Sequence, residues 1–313
     1  MKVREGFVES HGHRLAYLAV NEHLASDDQP AIIFIHGVLA SVNFWRDCVP
    51  ASFHEQRAWY ALSLPAHHPS TVSENFASQD LDEQWFYDIT HGAITALLGS
   101  RKVIVIGHST GGFCALNLAI RRAPNVIGIV SIAGFHSGNW GGVEGLLVKL
   151  AAAGSWGRSL FAFNIWLAKK SAFVQRLFAS LLAYDRQAYL ASPLSQKMID
   201  NIRANVRSQD SSALFYLFRG INRLEIAEQL NDISIPCHLL AGTHDPVVPA
   251  EQSLLLAGAI KRVKTVVFQN VGHMPFMEAT EVCMAAIEGA VNDIASQYRR
   301  YRIEADAQLE GER

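Results

Sequence analysis

The sequence predicts an α/β protein: a mostly parallel sheet wound with helices on both faces and interrupted by an inserted block of helices. Three observations carry this. Short runs rich in β-branched residues alternate with longer helical stretches, the pattern of parallel strands joined by crossover helices. A sharp Gly-His-Ser-Thr-Gly-Gly turn at 107–112 lies between one such run and one such helix. From 135 to 207 the alternation stops, and helical segments rich in Trp, Phe and Leu take over.

Taken in order, residues 6–10 and 14–20 read as a hairpin turning at His11-Gly12-His13. Strands follow near 31–35 and 57–62, with helices expected over 43–54 and 80–98. Val103-Ile104-Val105-Ile106 reads as a buried strand, 113–120 as a helix and 126–133 as another apolar strand. The inserted block divides into helices near 143–153, 159–170, 173–183 and 193–206. Two further core strands fall at 237–241 and 264–269. The expected division is therefore a core of 1–134 and 208–298, a helical insertion of 135–207, and a charged tail of 299–313 in which a solvated helix end frays.

Composition fits an enzyme of ordinary size. Half of the 313 residues are hydrophobic, enough for a large core. Lys plus Arg number 27 against 29 acids, a near-balance that argues against nucleic acid as a partner. The four cysteines, Cys48, Cys114, Cys237 and Cys283, are scattered and imply no disulfide framework. The first residues lack the apolar stretch of a secretory signal and no window has the uninterrupted apolar length of a bilayer span, so the expected location is cytoplasmic.

Chemistry centres on Ser109. A serine on a turn this tight is held in a strained conformation with its hydroxyl pushed out at the strand's carboxyl end, and a Cβ at Gly107 or Gly111 would collide where strand and helix pass. A neutral hydroxyl is a poor nucleophile, so it needs a histidine to take its proton and a carboxylate to orient that histidine. Asp245 follows the strand at 237–241 on a loop opened by Gly242 and kept from helix by Pro246. Asp232 precedes that strand and belongs to the wrong edge, while Asp200 and Asp210 fall in a polar-faced helical region. Of 13 histidines, His273 alone lies on the loop after the strand at 264–269, between a glycine and a proline. Catalytic groups collect along the carboxyl edge of parallel sheets.

These segments, with Ile32-Ile33-Phe34-Ile35-His36-Gly37-Val38, resemble the α/β-hydrolase superfamily, in particular its capped esterase, lipase and lactonase-like branch. The resemblance covers roughly residues 5–296 and is specific at four places: 32–38, 107–112, 242–249 and 272–278. It implies a sheet of about eight strands, with the insertion serving as a cap over the active-site edge. It further implies Ser109 as nucleophile, Asp245 as acid, His273 as base, and the amides of Val38 and Thr110 as an oxyanion hole. No cofactor and no metal are implied, and the partner is a small-molecule ester or lactone. The physical need for two fixed N–H donors is independent of the likeness, since a tetrahedral intermediate places negative charge on oxygen.

One stretch departs from the family. Where members often carry Asp-Leu-Pro-Gly-His-Gly, this chain has Ser63-Leu64-Pro65-Ala66-His67-His68-Pro69-Ser70, which bears on the shape of that loop and on one wall of the pocket. A metal site built from His67 and His68 beside His11 and His13 lacks clustered acid or cysteine partners. Trp140, Trp156, Phe161, Phe163, Trp166, Phe173 and Phe178 either pack the cap against the core or line an apolar acyl pocket. A weaker alternative reads Arg158, Lys169, Lys170 and Arg176 as flanks of a helix resting on a membrane surface. Acyl transfer, C–C bond hydrolysis and cofactor-free perhydrolysis share the same three residues, and a non-catalytic receptor has no evident use for a strained serine.

Overall fold

In the computed structural model, which describes residues 2–26 and 29–311, eight strands form one sheet: β1 (Val3–Ser10), β2 (His13–Val20), β3 (Ala31–Ile35), β4 (Trp59–Leu62), β5 (Val103–His108), β6 (Val126–Ile132), β7 (Cys237–Gly242) and β8 (Val263–Phe268). Their order is β1-β2-β4-β3-β5-β6-β7-β8. The β1–β2 and β2–β4 pairs are antiparallel and the remainder parallel.

The central strands are β-branched because both faces are covered. Every residue of β3 and β5 is buried, and successive side chains go to opposite layers. Ile33, Ile35, Val103 and Val105 join one apolar layer with helices α2 (Glu83–Leu98) and α3 (Thr110–Ile120). Ile32, Phe34, Ile104 and Ile106 join the other with α11 (Pro275–Glu278) and α12 (Thr280–Gly311). Helix α10 (Ala250–Ala259) leads into β8.

The expected helix over 43–54 is a correction. A 3₁₀ turn at Val42–Arg46 and the short α1 (Phe53–Gln56) stand there instead. Pro50 separates them, because its ring disfavours helical backbone at the preceding residue. Helix α2 begins as its sequence requires, with Asp82 accepting from the amide of Trp85 at 2.8 Å.

Between β6 and β7 the chain runs through α4 (Gly142–Ala152), α5 (Gly154–Lys170), α6 (Ala172–Ser180), α7 (Arg186–Ala191), α8 (Pro193–Ser208) and α9 (Ser211–Ile221). Helix α9 lies beyond residue 207 yet packs on α4 and α5, where Phe161 meets Phe215 and Phe218 at ring separations of 5.6 and 5.3 Å. Helix α12 continues through most of the segment expected as a tail; residues 312 and 313 lie outside the described residues. No helix among the described residues is long and apolar enough to cross a membrane.

Candidate active site

Ser109 joins β5 to α3 with φ 53° and ψ −115°, a conformation that costs a non-glycine residue about 1–3 kcal/mol. Its neighbours leave no other path. A Cβ on Gly107 would sit 1.9 Å from the Gly111 carbonyl oxygen, and one on Gly111 would sit 2.1 Å from that of Ile35. The strand therefore reverses into the helix with the serine at the apex, 2 % exposed.

Asp245 and His273 reach the same edge from the loops after β7 and β8. The amides of Val247 and Val248 donate to Asp245 Oδ1 at 2.8 and 3.0 Å, and Oδ2 accepts from His273 Nδ1 at 2.7 Å. The carboxylate thus fixes the imidazole as the tautomer whose Nε2 carries a free lone pair. Burial pushes the His273 pKa down, but the charge and hydrogen bond of Asp245, joined by Glu144 and Glu278, more than offset it and the net shift is upward. His273 Nε2 and Ser109 Oγ are both buried, line one cavity and have no hydrogen-bond partner among the described residues. The two atoms thus share the cavity without a hydrogen bond between them.

Two groups hold the His273 loop that the sequence reading did not single out. The Glu278 carboxylate accepts from the amides of Gly272, Met274 and Tyr184 at 3.0, 3.2 and 2.7 Å, bracketing the histidine and tying its loop to the cap. His108 donates from Nε2 to the His273 carbonyl at 2.9 Å. Burial first, then its neighbour His273, lower its pKa to about 3, so it stays a neutral donor. Both residues lie inside the quoted motif segments, but nothing in their spacing announces these bonds.

On the opposite side, Gly37 permits the β3 loop to approach the serine, since a Cβ there would sit 2.9 Å from Ser109 Cβ. The Leu39 amide donates to His67 Nε2 at 3.0 Å, whereas the Val38 amide engages no acceptor among the described residues. Thr110 opens α3, where a first-turn amide has no intrahelical acceptor. Neither amide has a backbone acceptor among the described residues. His36 accepts from the Leu64 amide at 3.1 Å and donates to the Gly37 carbonyl at 2.7 Å.

The departing loop at 63–70 turns at Ala66, φ 62°, a conformation that suits the glycine it replaces. Its residues do not line the cavity; the loop holds the β3 loop instead. His67 donates from Nδ1 to the Pro65 carbonyl at 2.9 Å, and burial lowers its pKa to about 4. With both ring nitrogens occupied it has none to offer a metal. Among the described residues no cluster of three or more His, Cys, Asp or Glu could hold one.

The cavity measures about 120 Å³ and is walled chiefly by apolar side chains, among them Val38, Phe44, Leu147, Ile165, Phe178 and Met198. A single water needs only about 10–15 Å³, so there is room for a small organic group. The cap aromatics divide. Trp140 and Phe161 are buried, Phe178 lines the cavity, and Trp156, Phe163, Trp166 and Phe173 are exposed. Of the basic residues read as membrane flanks, Lys169 donates to the Gln209 carbonyl at 2.6 Å, Arg158 to Ser212 at 3.1 Å, and Arg176 to the Leu190 carbonyl.

Residues 30–280 match the family described as the alpha/beta hydrolase fold. The chain belongs to that family. Among similar proteins is the pimeloyl-[acyl-carrier protein] methyl ester esterase of Vibrio atlanticus (strain LGP32), 24% identical over 85% of this chain and 96% of that protein. Proline iminopeptidase PfmaB of Pestalotiopsis fici (strain W106-1 / CGMCC3.15140) is 24% identical over 90% and 97%. The enol-lactonase of Burkholderia xenovorans LB400 superposes with a TM-score of 0.71 at 17% identity, covering 92% of this chain and all of that one. The last likeness establishes fold.

Proposed function

We propose that this α/β hydrolase is a serine hydrolase cleaving a carboxylic ester or lactone with a moderately apolar acyl part. The observation that carries the reading is the 2.7 Å Asp245–His273 hydrogen bond, which leaves His273 Nε2 unpartnered in the same apolar cavity as the strained Ser109 hydroxyl. The methyl ester esterase among the similar proteins supports an ester as the bond cleaved. In this mechanism Ser109 Oγ attacks the carbonyl carbon and its proton passes to His273 Nε2. Asp245 stabilises the imidazolium, and the amides of Val38 and Thr110 hold the oxyanion. His273 returns the proton to the departing alcohol oxygen, leaving an ester on Ser109. Water, deprotonated by the same nitrogen, then releases the acid. No metal or cofactor enters these steps. The reading keeps the chain in the cytoplasm, in line with four buried cysteines that are all unpaired.

A fluorophosphonate probe followed by a panel of esters, lactones and thioesters, with products identified by mass, tests it. Labelling at Ser109 and release of free acid are expected; an unlabelled serine, or transfer of the acyl group to an added alcohol in preference to water, overturns it.

The base must be neutral to accept a proton, so a raised His273 pKa predicts that kcat/KM falls as pH drops through a midpoint above the ordinary imidazole value of about 6.5. A pH series from about 5 to 9 reads this directly, and a rate that is flat across it contradicts the assignment of His273.

A further inference from the structure

The cap brings a carboxyl group to the reacting centre that the mechanism above does not use. Glu144 lies in the first turn of α4, is 4 % exposed, and lines the same cavity as Ser109 and His273. Its Oε2 is buried without a hydrogen-bond partner among the described residues. A buried carboxyl oxygen without a partner is costly to leave unmatched, and this one belongs to a residue that borders the cavity where a substrate group would sit.

Its position is fixed by the loop that holds the acid of the triad. The Gly141 amide donates to the Val247 carbonyl at 2.7 Å, and Cβ atoms on Gly141 and Gly142 would lie 2.6 and 2.9 Å from the Pro246 carbonyl oxygen. Gln252 reinforces the junction, donating to the Asn139 carbonyl at 2.9 Å and accepting from the amides of His136 and Ser137, each at 3.1 Å. Pro246 and Val247 directly follow Asp245. The first turn of α4 is therefore bolted to the triad, and Glu144 is held at a set place relative to the scissile bond.

We propose that Glu144 is a specificity-determining group that recognises an N–H or O–H donor, an amine or a hydroxyl, carried by the substrate close to the reacting carbonyl. The proposal rests on the serine-hydrolase reading and narrows its substrate class: the acyl part is apolar except for one donor aimed at the cap. Burial raises the Glu144 carboxyl to about 7, with the His273 charge lowering it and that of Asp245 raising it further. Near neutrality the group thus changes ionisation state readily, and an ammonium beside it draws it to the carboxylate. A hydroxyl is satisfied by either form.

The test compares aryl esters that share one acyl skeleton and carry, at the carbon next to the carbonyl or one further along, an amine, a hydroxyl or a methyl group. Wild type, Glu144→Gln and Glu144→Leu are measured on each, and all three proteins are exposed to a fluorophosphonate probe. Wild type is expected to favour the amine and hydroxyl esters. Glu144→Leu should reduce the kcat/KM ratio of amine to methyl ester by about 10- to 100-fold, the range for a hydrogen bond to a charged group. Glu144→Gln, isosteric and safer for folding, should lose the amine preference while keeping part of the hydroxyl preference. Equal ratios in the three proteins overturn the proposal. So does a change that scales every ester alike together with the pH midpoint, since Glu144 would then act only through the charge on His273. Failure of the probe to label wild type brings down the hydrolase reading and the recognition with it, whereas labelling with unmoved ratios brings down the recognition alone.

Discussion

Ser109→Ala is expected to reduce turnover of a short-chain ester by about 10⁴- to 10⁶-fold while leaving the fold and its melting temperature nearly unchanged. The first half follows from the chemistry: without Oγ no acyl-enzyme forms, and only the oxyanion amides and binding remain. The second half follows from the structure. Ser109 Oγ makes no hydrogen bond among the described residues, and alanine keeps the Cβ and hence the same backbone strain. Stability should therefore move by no more than about 0.5 kcal/mol. Ester assays and a thermal melt suffice. Activity retained within tenfold of wild type rules out Ser109 as nucleophile, and a collapsed melt rules out the claim that its side chain is structurally idle.

Asp245→Asn should lower kcat by about 10⁴-fold with the fold intact. The side-chain oxygen of asparagine can still accept from the amides of Val247 and Val248, so the loop keeps its shape. Its amide group would then face His273 Nδ1 as a donor, forcing the tautomer with hydrogen on Nε2, which cannot take the serine's proton. Loss of the carboxylate also removes the largest influence raising the His273 pKa, so the midpoint of the residual rate should shift toward acid. An unchanged midpoint, or a rate loss under tenfold, would mean that Asp245 is not the partner that matters.

The sheet and the positions of Ser109, Asp245 and His273 are legible in the sequence because local rules govern them. Buried parallel strands demand β-branched runs, and the loops that leave them are punctuated by Gly107, Gly111, Gly242, Pro246, Gly272 and Pro275. What escaped was one local rule passed over and several contacts made across the fold. The helix over 43–54 failed at Pro50, whose effect on its neighbour outweighs the apolar spacing around it. The stretch at 63–70 stands out in the sequence for its replaced glycines, whereas in the structure His67 Nε2 accepts from the Leu39 amide, 28 residues away. Glu144 carries no motif at all. Only the seating of Gly141 and Gly142 on Pro246 turns an ordinary helical glutamate into a wall of the cavity.

The φ of 53° at position 109 sets durability against reactivity at one residue. Glycine there would escape a penalty of about 1–3 kcal/mol and forfeit roughly 0.5–1 kcal/mol to the greater freedom of its unfolded chain. The balance favours the inert sequence. On the serine-hydrolase reading, selection for survival on heating alone would thus drift toward a sturdier protein that does nothing, and any effort to harden this scaffold must score turnover in every round.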